Sequence, residues 1–194
     1  MQSTGIIILA AGASKRLGTP KQQLVFEDKK LLQRITDTAL QTTCSPVIVV
    51  LGAYAAGIRE DITTTAAHTV VNTRWPEGMG GSIRTGMETL LRISPDVSST
   101  FLLLCDQPYI TTPLLQEMMQ LQTTTGKNII ASAYNDIAGT PVLFHQSFFP
   151  QLLSLTGQEG ARKILRAHPQ DIATVDFPQG AIDIDTPDDY HNMK

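Results

Sequence analysis

Lys15, Arg16 and Lys21 follow closely on the apolar run Ile6–Ala10, with Gly12, Ser14 and Gly18 set among them. Small residues leave backbone N–H groups accessible and three cations neutralise several negative charges, so the stretch has the composition of an anion cradle. A nucleoside triphosphate is the ligand this chemistry points to. An ordinary strand–turn–helix joint with surface lysines has the same ingredients. Two other phosphate loops do not fit. A P-loop needs G-x-x-x-x-G-K-[ST], but Gly12 and Gly18 have the wrong spacing and Thr19 stands where the lysine should be. The dinucleotide fingerprint G-x-G-x-x-G finds Ser14 in place of its second glycine.

Carboxylates occur at two further places. Asp106 follows the apolar Phe101–Cys105 directly, and Gln107-Pro108 ends that run. An acid at the carboxyl end of a buried strand suits Mg²⁺, which takes one or two carboxylates plus waters and phosphates; it equally suits a helix cap or an Asx turn. Near the C-terminus lies Asp183-Ile184-Asp185-Thr186-Pro187-Asp188-Asp189. Alternation along a short strand would point Asp183 and Asp185 to one side. Thr186-Pro187 reads as a helix start, with Asp188 and Asp189 favourable against the helix dipole. Between these regions, Gly78, Gly80 and Gly81 precede Ser82, permitting a flat ligand to approach the backbone and a hydroxyl to bond a base edge. A flexible turn with a helix cap is the plainer reading.

The elements that must position these residues alternate along the chain. Apolar runs at 5–10, 46–51, 69–72, 100–105, 128–133 and 141–144, with weaker ones at 172–176 and 181–184, are separated by helical patterns such as Ile83, Met87, Leu90 and Leu91. Leu31, Leu32, Ile35 and Ala39 mark another helix, and Thr112-Pro113 opens a third with a capping residue and a proline in the first turn. The expectation is one three-layer α/β/α Rossmann-like domain over residues 1–194 with a mostly parallel sheet. With its first strands laid out 3-2-1 and the fourth beside the first, the Gly12 loop and Asp106 meet at the topological switch point, where such sheets bind ligands.

Composition narrows the classes. The 194 residues are 42% apolar, carry a net charge of -3 and scatter their cations, which argues against nucleic acid as the main ligand. No run approaches the ~20 apolar residues of a membrane span, and MQSTG lacks the features of a signal peptide, so a cytoplasmic location is expected. The two cysteines, Cys44 and Cys105, form no C-x-x-C, and the four histidines have no metal-ligand spacing.

The order Leu9-Ala10-Ala11-Gly12-x-Ser14-x-Arg16-x-Gly18-x-x-Lys21 resembles the loop of the MobA-like nucleotidyltransferases. Cys105-Asp106-Gln107-Pro108 is similar to the C-D-Q-P segment of that family's MocA branch, and Asn72–Gly86 resembles its base-reading loop, with Gly81 where serine is more usual. Gly139-Thr140-Pro141-Val142-Leu143-Phe144 and Gly157–Arg162 resemble its acceptor-side segments, with Gln158 replacing an acid.

The resemblance implies CMP transfer from CTP to a molybdopterin-type molybdenum cofactor with release of pyrophosphate, a molybdoenzyme as recipient, and Mg²⁺ as cofactor. It further implies Asp106 and Asp185 as metal ligands, Asp183 being the runner-up. Arg16 and Lys21 would act on the phosphates, Leu9, Ala10, Ala11 and Gly12 would contact the nucleotide, and Gly80 with Ser82 would read the base. Gly139, Gly160 and Arg162 would face the acceptor. GTP-using members resemble L-A-G-G where this chain has Leu9-Ala10-Ala11-Gly12; the Ala11 methyl narrows the room beside the base, a difference worth only ~1–3 kcal/mol. The alternatives are a GTP-dependent guanylyltransferase, a sugar- or alditol-phosphate nucleotidyltransferase, and a non-enzymatic cofactor-delivery protein.

Overall fold

Strand β1, Thr4–Ala10, is buried on both sides: Ile6, Ile8 and Ala10 face one apolar layer, Ile7 and Leu9 the other. That double burial is why its sequence is a continuous apolar run rather than an alternating one. The computed structural model describes residues 3–63 and 65–191. After β1 come the short hairpin strands β2 (Val25–Phe26) and β3 (Lys29–Lys30), then β4 (Val47–Leu51), β5 (His68–Val71) and β6 (Ser99–Leu104). The last strands are β7 (Ile129–Tyr134), β8 (Ile137–His145) and β9 (Ile172–Asp176). Among the described residues the main sheet has seven strands in the order β5-β4-β1-β6-β8-β7-β9.

The β5-β4-β1-β6 half is parallel, so the expected 3-2-1 layout with the fourth strand beside the first is what the chain adopts. Leu9 pairs with Leu104, so β1 and β6 end side by side and release the Gly12 loop and Asp106 at the same edge. The far half departs from parallel: β8 runs antiparallel to both β6 and β7, and β9 is parallel to β7. Its cause is local. Asn135 and Asp136 both adopt positive φ, the geometry of a two-residue hairpin loop, and fold β7 directly back into β8.

Helices α1 (Leu31–Leu40), α2 (Ala55–Arg59), α3 (Met79–Ile93), α4 (Thr112–Thr125), α5 (Phe149–Ser154), α6 (Ala161–Ala167) and α7 (Pro187–His191) complete the chain. Leu32 and Ile35 of α1 and Leu115 and Met118 of α4 cover the β1 face that carries Ile6. Ile83 and Met87 of α3, Leu152 of α5 and Ile164 of α6 cover the other. Two elements differ from expectation. The cap of α4 is Thr111, not Thr112: its hydroxyl accepts the Leu114 N–H (3.4 Å), while Thr112 donates to the Thr38 carbonyl (3.1 Å). Residues 181–184 form no strand. Ile184 leaves the sheet to pack with Phe26 and Leu31, and its N–H reaches only the Asp106 carbonyl (3.3 Å). No helix among the described residues is long and apolar enough to cross a membrane.

The α3–sheet contact depends on Gly86. A Cβ there would meet Ile7 Cγ2 at 2.6 Å and Val50 Cγ2 at 3.1 Å, both on buried β-branched side chains that have few other rotamers. Gly86→Ala is therefore expected to destabilise the protein by about 1–3 kcal/mol despite alanine's better helix propensity. Urea denaturation checks this; a stability equal to or above that of the wild type would show that the helix simply shifts outward.

Candidate active site

At the carboxyl ends of β1 and β6 the chain leaves a cavity of about 370 Å³, lined among others by Ala11, Gly12, Lys21, Ser82 and Asp106. Its floor is the loop after β1. Gln22, fully buried, donates from Nε2 to the carbonyls of Ala10 (2.8 Å) and Gly12 (3.0 Å), tying down the loop's acceptors. Ser14, at positive φ, turns the loop by accepting the N–H groups of Leu17 and Gly18 on its carbonyl. Its hydroxyl accepts the Lys21 N–H (3.0 Å). The turn thereby returns Lys21 to the mouth of β1.

There Lys21 Nζ bonds Asp106 Oδ2 and lies 3.3 Å from Asp185 Oδ1; Arg16 Nη2 lies 2.7 Å from Asp185 Oδ2. Burial alone would lower the Lys21 ammonium's pKa, but Asp106, with help from Cys105 and Asp185, outweighs burial and holds it above its ordinary value. Lys21 and Asp106 are largely enclosed, whereas the Arg16 side chain is 70% exposed. Burial pushes the adjacent Cys105 thiol up to about 12, leaving it without nucleophilic thiolate at neutral pH.

Asp183 belongs to the same group. Burial, then the Asp106 and Asp185 carboxylates, pushes it up to about 6 from 3.8, with Lys21 and Arg162 opposing. A folded-state pKa above the unfolded one means that the folded protein loses stability as pH rises between those values, and the loss persists at neutral pH. Asp183→Asn is accordingly expected to raise Tm at pH 7.5 in EDTA, modestly because the residue as a whole is exposed and solvent screens its carboxyl. The gain should vanish below pH 3.8, where aspartate is neutral in both states. A gain independent of pH would show that the carboxylates are not coupled.

The acidic arm ends in a helix cap. Asp189 accepts the N–H groups of Asp185 (3.1 Å) and Thr186 (2.8 Å), and Thr186 accepts that of Asp189 (3.2 Å), a reciprocal cap for α7. Asp189 is thus a helix-end residue, and Asp185 is the carboxylate that faces the cations. For a divalent metal the donor set is suitable: hard carboxylate oxygens from Asp106 and Asp185, and a buried Asp106 Oδ1 that has no hydrogen-bond partner. Among the described residues no group of three or more His, Cys, Asp or Glu is arranged to hold a metal. Mg²⁺ does not need one when phosphates and water complete its shell.

The opposite wall comes from the start of α3. Ser82 lines the cavity, and its hydroxyl accepts from Asn72 Nδ2 (3.1 Å), whose Oδ1 accepts the Arg74 N–H (3.0 Å). Gly80 does not line it. Its N–H donates to the Gly157 carbonyl (3.0 Å), and a Cβ would strike the Thr156 backbone at 2.7 Å, so Gly80 serves close packing between two loops. Trp75, Met79 and Gln158 line the cavity instead. Trp75 and Met79 lie in the segment that resembles the base-reading loop and Gln158 in the acceptor-side turn, but residue type alone gives none of the three an individual role. Gln22 was equally silent, since nothing in the sequence separates it from Gln23.

Of the acceptor-side residues, Arg162 sits near Asp183, and Gly160 precedes α6 against the Met79 sulfur, 3.0 Å from a built Cβ. Gly139 is elsewhere. It makes room for the Tyr134 hydroxyl, which a Cβ there would strike, and it does not line the cavity.

A cation-bearing loop, an enclosed carboxylate and a helix start thus surround one cavity at the sheet's switch point. Residues 6–172 match the MobA-like NTP transferase domain. The chain belongs to the MobA-like NTP transferase family. Among its relatives, nicotine blue oxidoreductase of Paenarthrobacter nicotinovorans is 27% identical over 198 residues, 96% of this chain and 94% of that one. Molybdenum cofactor cytidylyltransferase of Escherichia coli (strain K12) is 25% identical over 195 residues, 100% of this chain and 97% of that one. The crystal structure of Rv0371c from Mycobacterium tuberculosis H37Rv has a TM-score of 0.83 at 28% identity, covering 99% of this chain and 97% of that one. A manganese complex of the same mycobacterial protein has a TM-score of 0.79 at 27% identity, covering 100% and 98%. This MobA-like chain is a nucleotidyltransferase related to molybdenum cofactor cytidylyltransferase.

Proposed function

We propose that the protein transfers CMP from CTP to a molybdopterin-type molybdenum cofactor, acting as one domain. The observation that carries this reading is the convergence of Lys21, Asp106 and the Gln22-tethered loop on one cavity beside Ser82. The full-length similarity to a molybdenum cofactor cytidylyltransferase supports the acceptor. Ala11, buried and on the cavity wall, supports the smaller base in this reading, because a methyl there leaves less room than the glycine of L-A-G-G would.

In this reading an acceptor phosphate oxygen attacks the α-phosphorus in line, forming the new P–O bond as the bond to the β-phosphate oxygen breaks and pyrophosphate leaves. Such chemistry asks the protein for positioning and charge stabilisation. The backbone of Ala10–Gly12 orients the triphosphate. Lys21 and Arg16 release Asp106 and Asp185 and turn to the phosphates, stabilising the charge that develops on the leaving group. Asp106 and Asp185 would hold Mg²⁺, which supplies charge neutralisation when bound. Ser82, positioned by Asn72, bonds the base, and Arg162 meets the acceptor phosphate.

Titration with CTP, GTP, ATP and UTP, with and without Mg²⁺, tests the reading against Asp106→Asn. Magnesium-dependent preference for CTP, weakened in the variant, is the expected result, followed by CMP transfer to molybdopterin. Preference for GTP would move the assignment to guanylyl transfer, and binding of none of the four would overturn it.

A further inference from the structure

Gln107 is 2% exposed and makes no contact with the cavity, yet it touches the segment that carries the second carboxylate group. Its Nε2 donates to the Gly180 carbonyl (2.9 Å) and to the Thr140 carbonyl (3.2 Å). Its Oε1 is buried without a partner. Leaving a buried amide oxygen unpaired is unfavourable, so what this site uses of the glutamine is its two donors.

Those donors act at a decisive place. Gly180 is the last buried residue before the arm that runs through Asp183 to Asp185, and rings of Phe177 and Tyr134 press against it, each 2.6 Å from where a Cβ would sit. Two ties then join the arm to the end of β6: the Gln107 side chain at Gly180, and the Asp106 carbonyl at the Ile184 N–H. Asp183 lies between the ties and Asp185 just past the second. Without the first tie, the backbone hydrogen bonds of the arm's upstream half among the described residues are local ones, Gly180 N–H to the Phe177 carbonyl (2.8 Å) and Ile182 N–H to the Gln179 carbonyl (3.1 Å), and Ile182 itself is exposed.

We propose that Gln107 is a positioning residue for the divalent cation: it clasps the Gly180–Asp185 arm against the end of β6 and so sets the spacing between Asp106 and the Asp183–Asp185 carboxylates. This rests on the reading that those carboxylates hold the metal. Groups that orient metal ligands without touching the metal typically change affinity ~10–100-fold when replaced.

The test is Mn²⁺ binding to the full chain, followed by the EPR signal of the free ion, in wild type, Gln107→Met, Gln107→Glu and Asp106→Asn. Methionine keeps length and volume but donates nothing, and glutamate sets a carboxylate against two carbonyls. Gln107→Met should bind Mn²⁺ at least ~10-fold more weakly, and Gln107→Glu more weakly still. CTP affinity in EDTA should stay within twofold, and hydrogen exchange should quicken in residues 181–186 but not in 47–51. Mn²⁺ binding unchanged in Gln107→Met while Asp106→Asn loses it would overturn the clasp and leave the metal site standing. Binding unchanged in Asp106→Asn would overturn the metal assignment and the clasp with it. If the methionine variant does not fold, the wild-type Gln107 side-chain amide decides by ¹⁵N NMR. Slow exchange and broadening by Mn²⁺ support the clasp; rapid exchange overturns it.

Discussion

Lys21→Met is expected to abolish most nucleotidyl transfer and, in the absence of metal, to destabilise the fold, with divalent cations restoring much of the stability but none of the rate. The rate should fall ~10²–10³-fold, the scale on which a preorganised donor to a developing oxyanion acts. The stability loss has a separate origin. Lys21 and Asp106 are largely enclosed, at 17% and 13% side-chain exposure, and Asp183 and Asp185 stand close by. Removing the ammonium leaves an enclosed carboxylate facing two others, and breaking a buried pair from one side costs more than the pair itself contributes.

Methionine preserves the stem of the side chain, so the loss reports charge and not packing. Mn²⁺ or Mg²⁺ then stabilises the variant by binding the folded state only, and the rise in Tm per added metal should exceed that of the wild type. Thermal melts across a metal titration, alongside turnover, check both parts. A variant as stable in EDTA as the wild type would show that Asp106 is not held by Lys21. A variant that retained turnover would remove Lys21 from the reaction.

Why Lys21 was legible while its supports were not follows from the range of the forces involved. The β1 run, buried on both faces, can only be a central strand, and a loop leaving such a strand beside β6 must open at the switch point. Residue type and short spacing therefore led to Lys21, Arg16 and Asp106. The hairpin at Asn135-Asp136 is marked in sequence by that dipeptide alone: the apolar runs at 128–133 and 141–144 stand apart, so they show two strands but not the direct antiparallel return between them. Ile182 and Ile184 misled in the opposite direction: their alternation imitates a strand, but Ile184 is claimed by Phe26 and Leu31 from the other end of the chain. Gly80 shows the same limit within the site. Its need for glycine is visible, but which neighbour imposes it depends on Thr156 and Gly157, which no local pattern connects to it. Buried amides such as Gln22 act through backbone carbonyls, which every residue has, so partner identity leaves no trace in sequence.

Arg16→Ala should lower turnover as severely as the loss of Lys21, ~10²–10³-fold, while leaving stability within about 1 kcal/mol of wild type. The contrast follows from exposure. Arg16 shares Asp185 with Lys21, but its side chain is 70% exposed and that of Asp185 39%, so the pair is screened by solvent and contributes little to folding. Its place beside the loop is what matters: a guanidinium reaching the phosphates from the solvent side spans two oxygens with fixed geometry. Arg16→Lys keeps the charge but loses that fork, and should recover only part of the rate. Because Arg16 is free to leave Asp185 at little cost, the loss should fall on kcat more than on the KM for nucleotide, as expected for a contact made chiefly in the transition state. Steady-state kinetics with paired urea denaturation separates the two effects. Turnover within a few fold of wild type would remove Arg16 from catalysis and leave it as a surface partner of Asp185.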